Sequence, residues 1–159
     1  MPSWFSRLSA GLVIRTNEVE LVAIKGSRIL SHVRVPIAGA EGHELAHAIR
    51  QTLAMSGVKT RRMAVAMPTE DVLIRFFHMP LLPKAERDTA VQFEARKYIP
   101  FKTEELVWDY YAGESRQTSQ LEVTFAAVQR SVFDQLQAVL TDAGVQPERI
   151  EPRSLSLAR

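Results

Sequence analysis

The sequence contains no cysteine, which excludes disulfide bonds, thiolate metal ligands and thiol catalysis. No apolar run approaches the roughly 18 residues of a membrane-spanning helix, and the amino terminus lacks the apolar core of a secretory signal. A large excess of one charge is also missing, because 20 Lys and Arg face 18 Asp and Glu. This balance argues against a dedicated nucleic-acid binder, so no nucleic-acid partner is expected. The missing membrane-spanning run and signal core predict a soluble protein.

The length of 159 residues predicts one domain, or two small lobes that share a connection. Hydrophobic residues make up 46% of the chain and charged residues 24%. These proportions are those of a folded domain that buries an ordinary core.

Three segments near the start alternate between apolar and polar residues and are rich in Val and Ile, as strands are. They span Ala10–Arg15, Val19–Lys25 and Arg28–Ile37. Gly26 and Ser27 separate the second segment from the third and suit the two-residue turn of a hairpin. We therefore expect three antiparallel strands, followed by a short apolar strand at Met63–Met67 that lies inside the same sheet.

A helix is predicted from His43 to Met55, where Gly57 ends it. It contains His-Glu-Leu-Ala-His, a literal match to the zinc-protease motif H-E-x-x-H. The buried face predicted by the apolar spacing points away from both His43 and His47, whereas a catalytic zinc helix presents both histidines to a cleft. That predicted face consists of Leu45, Ile49 and Leu53.

A third zinc ligand is hard to find in the sequence. The extended motif needs Gly and His after the second histidine, but Arg50 and Leu53 occupy those positions. A more distant ligand could come only from Glu70 or Asp71, in a predicted turn. We therefore favour a solvated histidine pair over a zinc protease, which is kept as a remote alternative.

A second helix is bracketed by two prolines. Pro83 is suited to a helix start, and Pro100 disfavours the helical conformation for Ile99, so the helix is expected to run from Lys84 to Tyr98. At 100° per residue its apolar side chains fall on one broad arc, which comprises Ala90, Val91, Phe93, Ala95 and Tyr98.

Glu94 lies near the middle of this arc. A carboxylate among apolar side chains is unfavourable unless it is hydrogen-bonded or paired. Val72–Met79 reads as a strand in which Arg75 and Phe77 share a face, so Arg75 is a candidate partner for Glu94. The alternative is a locally paired structural glutamate at a wet edge of the packing.

Two short segments carry a family resemblance. Residues 80–84 read Pro-Leu-Leu-Pro-Lys, and residues 93–101 read Phe-Glu-Ala-Arg-Lys-Tyr-Ile-Pro-Phe. They resemble the type IV pilus assembly protein PilM family, which is actin-like and related to FtsA. The resemblance implies an α/β (α+β) chain that forms the amino-terminal part of an actin-like, ribonuclease H-like fold with an inserted strand-helix-strand-strand subdomain. The first lobe would comprise residues 1–71 and 146–159, and the inserted subdomain would comprise residues 72–145.

The opening hairpin of actin-like proteins carries a phosphate-binding loop, which in this family resembles Gly-Leu-Asp-Ile-Gly-Ser. Residues 11–16 of this chain read Gly-Leu-Val-Ile-Arg-Thr instead. Val13 replaces the Asp that would orient magnesium, and Arg15 replaces the Gly that lets the backbone approach phosphate. We therefore expect neither ATP nor another cofactor, with an actin-like ATPase in the full-length protein as an alternative, since the other half of such a protein is missing here.

The resemblance also implies a function. It implies a scaffold of pilus assembly, not an enzyme, that lies at the cytoplasmic face of the inner membrane. The implied partner is the amino-terminal cytoplasmic peptide of a PilN-like protein, with other proteins of the pilus machinery as further candidates. Tyr98 and Phe101 would supply an apolar shelf, and Glu94 an anchor together with Arg75. The candidate partner-binding residues are Glu94, Tyr98, Ile99, Pro100, Phe101 and Arg75. An equal alternative is that residues 98–101 pack the inserted subdomain onto its own sheet.

Two further alternatives remain open. The cytoplasmic part of the type II secretion protein GspL has a similar actin-like arrangement, so the resemblance does not separate secretion from pili. At the amino terminus, Trp4, Phe5 and Leu8 lie beside Arg7 with a spacing that suits peripheral contact with a membrane. A tail that frays or folds back on the domain is the alternative for so short a segment.

Overall fold

The computed structural model of the protein describes residues 8–115 and 118–156. The chain divides into two compact units. The first comprises residues up to 69 and from 134 onward, and the second comprises residues 70–133. The second unit is thus an insertion in the sequence of the first, and the later boundary falls within a helix.

The first unit contains a five-stranded sheet. Its strands are β1 (Leu8–Ile14), β2 (Glu18–Lys25), β3 (Arg28–Pro36), β4 (Arg62–Met67) and β8 (Gln146–Pro152). They lie in the order β3-β2-β1-β4-β8. The first three pair antiparallel, as predicted, whereas β4 pairs parallel with both β1 and β8. The prediction that the segment around Met63–Met67 lies inside the sheet is confirmed.

Helix α1 (Gly42–Ser56) packs against β2 and β3. Alternate residues of β1 and β2 are almost fully buried, because successive side chains of a strand point to opposite faces. Gly57 ends the helix in the left-handed conformation, at φ 65°, and its N–H donates to the carbonyl of Ala54. The predicted helix is therefore confirmed to within one residue at each end.

The second unit contains a three-stranded antiparallel sheet and a helix. Its elements are β5 (Val72–Pro80), α2 (Lys84–Ala95), β6 (Leu106–Glu114) and β7 (Gln120–Gln129), with a short 3-10 turn at Thr103–Glu105. The strands lie in the order β5-β7-β6. Helix α3 (Arg130–Asp142) follows and leads into β8, and α4 (Arg153–Ser156) comes last. The strand-helix-strand-strand order that the resemblance implies for this part of the chain is confirmed.

One face of the second sheet carries the core of this unit. Phe125, on the central strand β7, is fully buried, and its ring centroid lies 5.6 Å from that of Trp108. Val91 and Ala95 are the fully buried residues that α2 contributes to the same cluster. The opposite face of the sheet is more open, and Phe76 on that face is 74% exposed.

Helix α2 departs from the prediction in two ways. It ends at Ala95 and not at Tyr98, because the N–H groups of Lys97 and Tyr98 donate to the third preceding carbonyls and form turns. Phe93 is 67% exposed, although it was expected on the buried arc. The predicted arc is wider than the stripe that the helix buries, since Phe93 lies about 160° from Val91 around the helix axis.

A hydrogen bond joins α2 to β6, since the Tyr110 hydroxyl donates to Asp88 at 2.6 Å. This bond raises the pKa of Tyr110. Replacing Tyr110 with Phe removes the bond and keeps the ring in its partly buried place, so we expect the free energy of unfolding to fall by about 0.5–1.5 kcal/mol. Urea unfolding followed by circular dichroism measures this change. An unchanged midpoint in Y110F would contradict a stabilising role for the bond.

Candidate functional site

The second unit contains a cavity of about 350 Å³ at one end of its sheet. Its walls come from the start of β5, the end of β7, the first turn of α3 and the segment that follows α2. The lining is mainly apolar, and its apolar members are Val72, Leu73, Ile99, Phe101, Leu106, Ala127, Val128 and Val132. The polar part of the wall comes from Gln129, Glu70 and Asp71.

Two of the six residues predicted to bind a partner line this cavity. Ile99 is buried and belongs to the core cluster of the unit, so its side chain forms a fixed part of the wall. Phe101 is 40% exposed and can therefore contact a ligand directly. Pro100 stands between them and is exposed. The segment after α2 thus presents one rigid and one accessible apolar side chain to the same cavity.

Glu70 and Asp71 are the acidic residues of the lining. Both are exposed, and neither forms an ion pair with another residue in the described part of the chain. Two adjacent carboxylates without a cationic neighbour favour a positively charged group in the ligand. The sequence reasoning considered these residues only as zinc ligands, although two carboxylates directly before an alternating strand could have suggested a charged rim.

Tyr98 is held from two sides. Its ring stacks on Phe77 with centroids 5.7 Å apart, and its backbone carbonyl accepts a hydrogen bond from Arg75 Nε at 3.2 Å. Arg75 also donates to the carbonyl of Ile74 at 2.8 Å. Arg75 therefore fixes the backbone just before Ile99, and Tyr98 keeps part of its ring accessible.

The predicted ion pair between Arg75 and Glu94 is wrong. Glu94 instead accepts a hydrogen bond from Lys97 Nζ at 2.7 Å, and this bond raises the pKa of Lys97. Lys97 lies three residues after Glu94 and therefore reaches its carboxylate at the end of the helix. The guanidinium of Arg75 donates its hydrogen bonds to two backbone carbonyls instead. Glu94 is therefore paired locally, as the alternative interpretation proposed.

The histidine pair of α1 lies on the exposed side of its helix. Ile49 and Leu53 are buried, as predicted, whereas His43 and His47 are exposed. His43 Nδ1 lies 3.1 Å from Asp142 Oδ2, and this hydrogen bond lowers the pKa of Asp142. Residues 8–115 and 118–156 include no group of three or more His, Asp or Glu side chains placed to hold a metal ion.

The hairpin expected to hold a phosphate loop contains a network of charged side chains. Glu20, on β2, is almost buried and accepts hydrogen bonds from Arg15 at 3.0 Å and from Arg34 at 3.2 Å. His32 Nε2 lies 2.7 Å from the same carboxylate, and Arg15 also forms an ion pair with Glu18 at 3.1 Å. Burial raises the pKa of Glu20, but its three partners outweigh burial and hold that pKa below the ordinary value of 4.5.

The model of the family described as type IV pilus assembly protein PilM matches residues 31–158. The chain belongs to the PilM family. No curated protein matches the sequence significantly. The family match favours the pilus system over the type II secretion system, which the sequence left open.

Two solved structures have a similar fold. The chain superposes with a TM-score of 0.80 and 24% identity on a structure described as a PilM-PilN type IV pilus biogenesis complex, covering 93% of this chain and 48% of that one. The cytoplasmic domain of EpsL, from the type II secretion system of Vibrio cholerae, superposes with a TM-score of 0.65 and 11% identity. That match covers 92% of this chain and 57% of the EpsL chain. This chain therefore spans about half the length of the chain that it matches in that complex.

The predicted fold class is confirmed. The described residues form a mixed α/β chain with two sheets, and they share the fold of about half of a chain in the PilM-PilN complex. Among the described helices, none is long and apolar enough to cross a membrane.

Proposed function

We propose that this chain is a non-catalytic scaffold of type IV pilus assembly. It binds the amino-terminal cytoplasmic peptide of a PilN-like protein at the cytoplasmic face of the inner membrane. Membership of the PilM family and the likeness to a chain in a PilM-PilN complex support this function. The observation that carries the proposal is the cavity, which combines Ile99 and Phe101 of the signature segment with the carboxylates of Glu70 and Asp71.

The cavity defines the chemistry of the peptide. Its volume of about 350 Å³ lies at the small end of ligand pockets, which range from about 300 to 1,000 Å³, and suits one or two apolar side chains. Glu70 and Asp71 favour a positively charged group beside them. The ligand is therefore a peptide in which an apolar residue lies next to a basic residue or to the terminal amino group.

The charge network around Glu20 supports the non-catalytic part of the proposal. Arg15 occupies the position where a phosphate loop needs glycine, and its guanidinium is bound to Glu18 and Glu20. Val13 has no side-chain oxygen to offer a magnesium ion. We expect no binding of magnesium-ATP to this chain, which equilibrium dialysis with labelled nucleotide measures.

Replacing Phe101 with Ala tests the cavity as the docking site. We expect the dissociation constant for a synthetic amino-terminal peptide of the PilN-like partner to rise about tenfold, equivalent to about 1.4 kcal/mol, because the accessible aromatic wall is lost. Isothermal titration calorimetry measures the constant. Phe101 is a sharper probe than Tyr98, because Y98A would also remove the stacking on Phe77 that supports the fold.

The matched control is Phe76→Ala. Phe76 is an exposed phenylalanine of the same unit that does not line the cavity, so F76A should bind the peptide as the unaltered chain does. The double variant E70Q/D71N should weaken binding and reduce its dependence on salt. Equal affinities for F101A and F76A would reject the cavity as the docking site.

A further inference from the structure

The tip of the β2–β3 hairpin is both basic and apolar on its surface. We define the hairpin tip as residues 24–30 together with Leu8, which pairs with Lys25 in the sheet. Gly26, at φ 61°, and Ser27 connect the strands in a two-residue turn. The exposed large apolar side chains of the tip are Leu8, Ile24, Ile29 and Leu30.

A β-bulge lies within the hairpin tip. The register of β2 and β3 shifts next to Ile24, so that Ala23 pairs with Ser31 while Ile24 pairs with Ile29. Leu30 is therefore the extra residue, without a partner across the strands. Ile29 is 65% exposed and Leu30 51% exposed, although both are strand residues of the type normally buried.

The two cations of the tip are not neutralised. Lys25 and Arg28 lie directly opposite each other across the strands, an arrangement that is unfavourable for like charges. Neither takes part in an ion pair within the described residues, and the sequence from 21 to 40 contains no Asp or Glu. The two acidic residues further down the hairpin, Glu18 and Glu20, are already paired with arginines.

We infer that the hairpin tip docks on a membrane surface that contains anionic lipids. Exposed aliphatic side chains insert into the headgroup region, and adjacent cations are attracted to negatively charged lipid headgroups. The residues that precede Leu8 in the sequence include Trp4, Phe5 and Arg7, which have the same character and lie outside the described residues.

A protein partner fits the hairpin tip less well than a lipid surface. Stable protein interfaces engage about 20–30 residues on each side, whereas the tip presents eight residues, seven on the β2–β3 hairpin and one on β1. Membrane contact needs no such area, because a few apolar side chains and cations act together. The inference does not depend on the cavity or on the proposed PilN-like partner.

Vesicle co-sedimentation tests this inference. We expect the unaltered chain to bind vesicles of phosphatidylcholine with phosphatidylglycerol, to bind pure phosphatidylcholine vesicles much more weakly, and to dissociate at about 0.5 M salt. The charge variant K25E/R28E should reduce partitioning about tenfold. The apolar variant I29S/L30S should reduce it severalfold while the charge remains.

The matched control is Phe76→Ser, which removes an equally large exposed side chain in the second unit. F76S should bind vesicles as the unaltered chain does, and circular dichroism should show that all variants keep their fold. Equal binding to neutral vesicles, no binding to either kind, or unchanged binding by K25E/R28E would overturn the inference. A dimer that I29S/L30S dissociates, without vesicle binding, would mean that two copies pair through β3 instead.

Discussion

Replacing Phe125 with Ala is expected to lower the free energy of unfolding of the second unit by about 3–5 kcal/mol. Phe125 is fully buried on β7, the central strand of its sheet, and its ring packs against Trp108. A cavity of phenylalanine size at the centre of a three-stranded sheet cannot collapse easily, because strands pair with β7 on both sides. The loss should therefore lie near the upper end of large-to-small substitutions.

Guanidinium unfolding monitored by near-ultraviolet circular dichroism measures this effect, since Trp108 contacts the replaced ring. Phe76→Ala is again the matched control, because it removes the same side chain from an exposed position of the neighbouring strand. The control should change the free energy of unfolding by no more than about 0.5 kcal/mol. If F125A were no less stable than F76A, the core described for this unit would be incorrect.

Glu20→Ala should destabilise the first unit by about 2–3 kcal/mol at pH 7. Its removal leaves Arg15, His32 and Arg34 close together without the carboxylate that they share. The cost is below that of a deeply buried ion pair because the three partners are partly exposed and water can solvate them. Urea unfolding followed by far-ultraviolet circular dichroism measures the loss.

The destabilisation caused by Glu20→Ala should also depend on pH. The folded state holds the pKa of Glu20 below its ordinary value of 4.5, so the stabilisation is fully present above that value and is lost as the pH falls through the folded pKa. The unaltered chain and E20A should therefore approach each other in stability at acidic pH. Asp142→Asn, which alters an exposed carboxylate bound to His43 and Arg50, should change stability far less. A difference between the unaltered chain and E20A that stays constant from pH 7 to pH 3 would contradict the proposed role.

Local chemistry made much of the fold predictable. Gly57 adopts the positive φ angle that ends a helix, and the Gly26-Ser27 turn fixes the first hairpin. The alternating pattern of Val72–Met79 also identified β5 of the second sheet.

The errors concern details that the sequence pattern left undetermined. Pro100 restricts Ile99 but does not determine how far before it the helix ends, and the turns at Lys97 and Tyr98 ended it early. Phe93 could be placed only once the width of the buried stripe was known. Arg75 had two backbone carbonyls within reach that the sequence does not reveal.

The candidate site was only partly accessible from the sequence. Ile99 and Phe101 were selected because they resemble a family segment, and the structure places both on one cavity wall. Glu70 and Asp71 belong to the same cavity because β5 starts where β7 ends in the antiparallel pairing. No local pattern indicates that these two pairs of residues, which lie about 30 positions apart in the sequence, line the same cavity.

The parallel pairing of β4 with β8 has a consequence for biosynthesis. These neighbours are separated in sequence by the whole second unit, so a ribosome must synthesise that unit before β8 can pair with β4. Until then the outer hydrogen-bonding groups of β4 remain unpaired, a condition that invites association with other nascent chains. The ribosome completes the second unit earlier, so this unit can fold before β8 is available to the surrounding sheet.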